Sequence, residues 1–149
     1  MQGAVTMSGT RPGSDTRVRI TLDDFMTGLV AGLAARGVRV LTISGTDFYA
    51  AVVDVFNDLE RRAQEQGNID LRFWLMIDEI HGDSPDIRDG ITSAQQRRLV
   101  SLDNPTFQNL RLKLTSPADA APYLAKVPGG RELYLELAER FTDLYPSYA

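Results

Sequence analysis

A helix start signal followed directly by two short apolar strands constrains the fold of this chain more than any other segment. Ser84 suits an N-cap, Pro85 suits the first helical position, and Asp86 places negative charge at the positive end of the helix dipole. These signals predict a helix over 85–98. A hairpin is expected over 99–115, because apolar runs flank the polar turn DNPTFQ.

Helical patterns precede this unit. Thr21 and Thr46 are the expected N-caps of two amphipathic helices, which end near Gly37 and Gly67. The β-branched run Val38–Ser44 predicts a short strand between them. The first helix also contains two glycines four positions apart, a spacing that indicates close packing against a neighbouring element. These glycines are Gly28 and Gly32.

Two further helices are predicted after the hairpin, over about 117–126 and 131–145. The last helix is expected to bury Leu133, Leu137, Phe141 and Leu144. The whole order of elements predicts an α+β fold, a single helix-rich domain with a small, mostly antiparallel sheet. The helix followed by a hairpin resembles the end of a winged helix-turn-helix, with C-terminal helices added.

Length and composition fit one domain over 17–149. Residues 1–16 are rich in Gly, Ser, Thr and Pro, so we expect a disordered leader whose start is Met1 or Met7. The absence of cysteine removes disulfides and thiolate metal sites. No apolar run approaches the ~20 residues that span a bilayer, and residues 1–16 lack the pattern expected of a secretory signal. We expect a cytoplasmic protein.

Acidic residues and the only histidine gather around the start of the 85–98 helix. They are Asp78, Glu79, His81, Asp83, Asp86 and Asp89. Carboxylates and an imidazole can hold Mg²⁺ or Mn²⁺, but this spacing matches no EF-hand and one histidine cannot form HExxH. Turn and cap roles account for Asp83 and Asp86. We expect no metal and no cofactor.

Polar and basic side chains lie at the end of the predicted 85–98 helix and on the hairpin. The candidate nucleic-acid contacts are Gln95, Arg97, Arg98, Arg111 and Lys113. Arginine and glutamine read base edges, and the hairpin cations would contact phosphates. Asp86, Asp89 and a net charge of −4 argue against this assignment.

Perfect alternation over Ile69–Ile77 predicts a strand that is buried on one face. The other face carries Trp74 and Met76 among charged residues. Either an internal layer or a partner should cover them, so both are candidate interface residues. The C-terminal aromatic residues could join this surface or pack over it internally; they are Tyr134, Phe141, Tyr145 and Tyr148.

These patterns favour a non-enzymatic binding protein, a regulatory or adaptor component whose partner is another protein or a second copy of the chain. The first alternative is a DNA-binding regulator that uses the 85–98 helix and the hairpin. The second is a metal-dependent enzyme that uses the acidic loop 78–89. Charge separates the first two hypotheses, because a DNA-binding protein should gather its arginines on one surface.

Overall fold

The computed structural model describes residues 17–43, 46–77, 84–102 and 109–145. In chain order the helices and strands are β1 (Val18–Ile20), α1 (Leu22–Ala35), β2 (Val40–Thr42), α2 (Asp47–Gln66), β3 (Ile69–Leu71), α3 (Pro85–Gln96), β4 (Val100–Leu102), β5 (Asn109–Leu112), α4 (Pro117–Lys126) and α5 (Arg131–Leu144). No helix within these ranges is long and apolar enough to cross a membrane. The predicted leader lies outside the described residues.

Local signals fix most helix boundaries. The Thr21 side chain accepts a hydrogen bond from the Asp24 N–H (3.1 Å), and the Asp24 carboxylate accepts one from the Thr21 N–H (3.0 Å). The Ser84 hydroxyl caps α3 by accepting from the Ile87 N–H. Gly67 ends α2 in the left-handed region, with φ of 70°, which glycine adopts without steric cost.

Two predictions in the first half of the chain are only partly correct. The strand expected over Val38–Ser44 is shorter among the described residues, because only β2 pairs with a neighbour there; Ser44 itself lies outside the described residues. Thr46 does begin α2, but its backbone is helical (φ −104°, ψ −13°) and its side chain makes no capping hydrogen bond within the described residues. A capping side chain needs an extended backbone at that position.

The strands form two small sheets. β1 and β3 pair in parallel, with Val18 opposite Ile69 and Ile20 opposite Leu71. β5 lies between β2 and β4 and runs antiparallel to both. The predicted α+β class and the antiparallel pairing of the two hairpin strands are confirmed, whereas the DNPTFQ turn lies outside the described residues. α3 ends two residues before the predicted limit of 98.

The likeness to a winged helix extends only to α3 and the hairpin that follows it. In a helix-turn-helix, a turn of about 3–4 residues joins the two helices. Residues 67–84, which include β3, separate α2 from α3. α3 instead packs closely on α1, because a Cβ added at Gly90 would lie 2.9 Å from Cγ of Met26.

Helix α1 lies at the centre of the core and contacts α3, α4 and α5. A Cβ on Gly28 would overlap the ring of Tyr134, and a Cβ on Gly32 would lie 2.6 Å from the Tyr134 carbonyl oxygen. The close packing predicted from this glycine pair is therefore confirmed, and the neighbour is α5. Any side chain at either position would force the two helices apart.

The buried face of α5 differs from the predicted one. Leu137 and Phe141 are fully buried as expected, but Leu144 is 44% exposed and Leu133 is only partly buried. Tyr134 takes the inward position because the two glycines of α1 leave room for its ring. α5 therefore turns the face that carries Tyr134 toward the core, and Leu133 and Leu144 lie closer to the solvent than predicted.

The long strand predicted over Ile69–Ile77 is wrong beyond Leu71. The Arg72 N–H donates to the Ile20 carbonyl (2.9 Å), and the parallel ladder ends there because the next residue after Ile20 is Thr21, the cap of α1. Residues 72–77 continue without regular secondary structure. Their side chains nevertheless keep alternating between the core and the solvent.

Candidate interaction surface

Trp74 and Met76 are the two most exposed of the large apolar side chains that the structure describes. Trp74 is 63% exposed and Met76 is 71% exposed, whereas their neighbours Phe73 and Leu75 are buried in the core. Isolated exposed apolar residues are common on protein surfaces, but a tryptophan and a methionine on one side of one segment form a patch. We call these two residues the Trp74 surface.

The core side of this segment holds it in place. The ring of Phe73 packs on Phe25 and Phe56, with centroids 5.3 and 5.1 Å apart. The Trp74 ring meets the Phe56 ring edge to face at 6.1 Å. One edge of the indole is therefore supported by α2, while most of its surface remains in contact with water.

A shallow groove of about 360 Å³ lies beside Trp74. It runs between the last turns of α2 and β3, and its lining includes Glu60, Ala63, Gln64, Ile69, Asp70 and Trp74. The Asp70 carboxylate is 3.1 Å from Nε of Arg72 and 3.9 Å from Nε of Arg19. The groove thus combines an aromatic wall with two carboxylates and with the guanidinium of Arg17, and one of the carboxylates already has cationic partners.

The C-terminal aromatic residues that the structure describes neither cover Trp74 nor extend its surface. Tyr134 and Phe141 are fully buried and Tyr145 is nearly so; of the two roles left open by the sequence, these three residues therefore take internal packing, away from Trp74. Phe141 and Tyr145 pack against Phe48 of α2, with centroids 6.1 and 6.0 Å apart. Tyr148 lies outside the described residues.

The five predicted nucleic-acid contacts do not lie together in the structure. Arg97 turns toward α1, where its guanidinium donates to the Thr27 hydroxyl and to the Asp23 carbonyl (3.3 Å). Gln95 is only partly exposed on α3. The remaining three, Arg98, Arg111 and Lys113, are exposed next to or within the three-stranded sheet.

Most of the acidic loop, including Asp78, Glu79, His81 and Asp83, falls outside the described residues. Asp86 is exposed in the first turn of α3, where it faces the positive end of the helix dipole. Within the described ranges, no group of three or more acidic or imidazole side chains is placed to hold a metal ion.

An ion network between α2 and α5 is a feature that sequence reasoning misses. Asp58 is only 6% exposed and accepts hydrogen bonds from Arg61 and from Nε of Arg62 (3.0 Å). The Arg62 guanidinium also donates a hydrogen bond to the Glu136 carboxylate of α5. Burial alone raises the pKa of Asp58, but the hydrogen bonds from both arginines outweigh it and lower that pKa. The network holds α2 and α5 together.

The Tyr134 hydroxyl is buried without a hydrogen-bond partner among the described residues. Burial, and secondarily the charge of Asp24, raises the pKa of this phenol above its ordinary value. The group is enclosed between α1 and α5, so it stays protonated and serves the packing.

Comparison of the chain with protein-family models, with curated proteins and with solved structures finds no match.

Proposed function

We propose that this protein is a non-enzymatic binding protein, a regulatory or adaptor component of the cytoplasm, that docks on another protein through the Trp74 surface. The observation that carries the proposal is the exposure of Trp74 and Met76 on a segment whose other side is fixed in the core. Aromatic residues and methionine are enriched in protein interfaces, and tryptophan is frequent among the residues that dominate their binding energy.

The neighbouring groove supports a protein partner more than a small ligand. Its volume of about 360 Å³ lies near the lower end of the range for small-molecule pockets, and its lining includes Glu60 and Asp70. An apolar side chain of a partner can pack on the free face of Trp74, while polar groups of the same partner meet these carboxylates. This is the arrangement of an apolar anchor within a polar rim.

The test begins with Trp74→Ala. We expect this change to weaken partner binding by about 2 kcal/mol, or roughly thirtyfold in Kd. The free energy of unfolding should fall by about 1 kcal/mol or less, because the folded protein loses mainly one edge-to-face ring contact. A photo-crosslinking residue at position 76 identifies the partner in cells, and purified components then give Kd by calorimetry. Sedimentation at several concentrations tests whether the partner is a second copy.

Tyr123→Ala is the matched control, because Tyr123 is a partly exposed aromatic residue on α4 and does not line the Trp74 groove. Its binding should equal that of the wild type, and a crosslinker at position 123 should not capture the same partner. The proposal is overturned if both variants bind equally well. It is also overturned if Trp74→Ala lowers the melting temperature by several degrees while leaving Kd unchanged, because Trp74 would then be a packing residue.

A further inference from the structure

A cavity of about 540 Å³ lies between α1, α4 and the end of α3. Sites for small molecules typically measure roughly 300–1,000 Å³, so this cavity is large enough for a ligand with one or two rings. None of the described residues lines both this cavity and the groove beside Trp74. We call it the α4 pocket, and its lining includes Thr27, Arg97, Pro122, Tyr123, Lys126 and Pro128.

Helix α4 supplies one wall of the pocket, and most of that wall is apolar. Pro122 and Tyr123 precede Lys126 by four and three positions, so these three side chains lie on one face of the helix. Tyr123 is 37% exposed, although the adjacent Leu124 is buried in the core. The phenol ring therefore leaves apolar surface open to a ligand, and aromatic rings pack well on one another.

Arg97 lines the pocket from the end of α3, and two hydrogen bonds hold its guanidinium in place. The group donates to the Thr27 hydroxyl and to the Asp23 carbonyl (3.3 Å). A carboxylate oxygen of Asp23 lies 3.9 Å from the same guanidinium, which is beyond hydrogen-bond distance. A planar guanidinium that is fixed in this way favours a ligand with an aromatic face on which it can stack.

Lys126 supplies a positive charge that has no acidic partner. Its ammonium makes neither an ion pair nor a hydrogen bond in the part of the chain that the structure describes. Asp24 also lines the pocket, but its carboxylate already accepts a hydrogen bond from the Thr21 N–H (3.0 Å) at the start of α1. One lysine without a partner matches a ligand with a single negative charge, such as a carboxylate.

We propose that the α4 pocket binds a small aromatic carboxylate, with the ring of the ligand against Tyr123 and Arg97 and its carboxylate paired with Lys126. This site is independent of the proposed protein interface, because the two share no described residue. It also gives Arg97 a role other than contact with nucleic acid.

NMR titration with three probes of similar shape tests each part of this proposal. The probes are 2-naphthoate, the neutral 2-naphthamide and the saturated decahydro-2-naphthoate. We expect naphthoate to bind about tenfold more tightly than the amide, because the amide cannot form a charge-assisted hydrogen bond with Lys126. Naphthoate should bind roughly fivefold more tightly than the saturated acid, because only a flat aromatic ring stacks on Tyr123 and Arg97.

Lys126→Gln should weaken naphthoate binding about tenfold and leave naphthamide binding unchanged. The matched control is Lys113→Gln, since Lys113 is the other lysine of the chain and does not line the pocket. Tyr123→Ala should weaken both probes roughly fivefold, because it removes the aromatic wall. Trp74→Ala should leave naphthoate binding unchanged, so the failure of this proposal is distinguishable from the failure of the protein interface.

Four results would each refute the proposal. They are the absence of naphthoate binding, equal affinity for naphthoate and naphthamide, equal loss of affinity in the two lysine variants, and tighter binding of the saturated acid. The backbone N–H signals of Thr27 and Val127 locate the bound probe, and both should shift during the titration while the Trp74 indole signal stays in place.

Discussion

β5 and the segment Ile69–Ile77 share an alternating sequence pattern but occupy different surroundings. β5 is hydrogen-bonded on both sides, to β2 and to β4. The segment leaves its parallel ladder at Arg72 and continues with no regular strand partner among the described residues. The comparison shows that alternation determines which side chains are buried, whereas strand pairing depends on whether a neighbour lies alongside.

The solvent faces of these two regions also differ. β5 and the residue after it expose Arg111 and Lys113, whereas the segment exposes Trp74 and Met76. One face carries two cations, whereas the other carries two large apolar side chains. The same buried pattern thus supports two kinds of surface, because the outward positions are free of the constraints of the core.

The largest expected effect is a loss of stability. It tests whether a buried leucine contributes as much in the unpaired segment as it does in β5. Leu112 is 2% exposed in β5 and Leu75 is 4% exposed in the unpaired segment. Each change to alanine should lower the free energy of unfolding by about 3 kcal/mol, since a cavity is left in the core. Urea denaturation measures the loss, with Met76→Ala as a control that should stay within about 0.5 kcal/mol. If Leu75→Ala lowers the free energy of unfolding as little as Met76→Ala does, the two leucines are not equivalent.

Rates of amide hydrogen exchange should differ between β5 and the segment Ile69–Ile77, although both bury their inward side chains. The N–H groups of Leu112 and Lys113 donate to carbonyls of adjoining chain segments, whereas those of Trp74 and Met76 donate to no backbone carbonyl within the described residues. We expect exchange at Trp74 and Met76 to be at least about a hundredfold faster, because it needs only local opening. NMR exchange rates measure this, and equal protection would mean that the segment is paired in solution.

The smallest expected effect concerns the charged face. Lys113→Gln should raise the free energy of unfolding by about 0.3 kcal/mol at low salt, because it relieves repulsion from the neighbouring Arg39 and Arg98. The gain should disappear in high salt, as seen in denaturation curves. A loss of stability that is independent of salt would show that Lys113 contributes packing instead of unbalanced charge.

Much of the fold is predictable because its signals are local. Thr21 with Asp24, Ser84 with Pro85, and Gly67 act within one helical turn, and their helices begin or end where these residues indicate. The hairpin is likewise short in sequence. The exposure of Trp74 follows from period-two alternation, which needs only a core on one side.

Most of the errors involve distant residues. β1 is not predicted, because it has only three residues and forms by pairing with the distant β3. Arg97 turns to Thr27 because α3 packs across α1, an arrangement that neither helix encodes alone. α5 presents Tyr134 to the core because of glycines in α1. The contact of the Leu112 N–H with the Arg39 carbonyl depends on the strand order, so sequence spacing could not predict it.

The parallel pairing of β1 with β3 has a consequence during synthesis. Val18 leaves the ribosome long before Ile69, its partner, since α1, β2 and α2 lie between them. At about 5–20 residues per second, β1 stays unpaired for roughly 3–10 s. Through that interval the nascent chain presents an open strand edge and the apolar side chain of Ile20, which is completely buried once folding is finished. β1 is therefore made first in this small sheet but is secured only when β3 has been made.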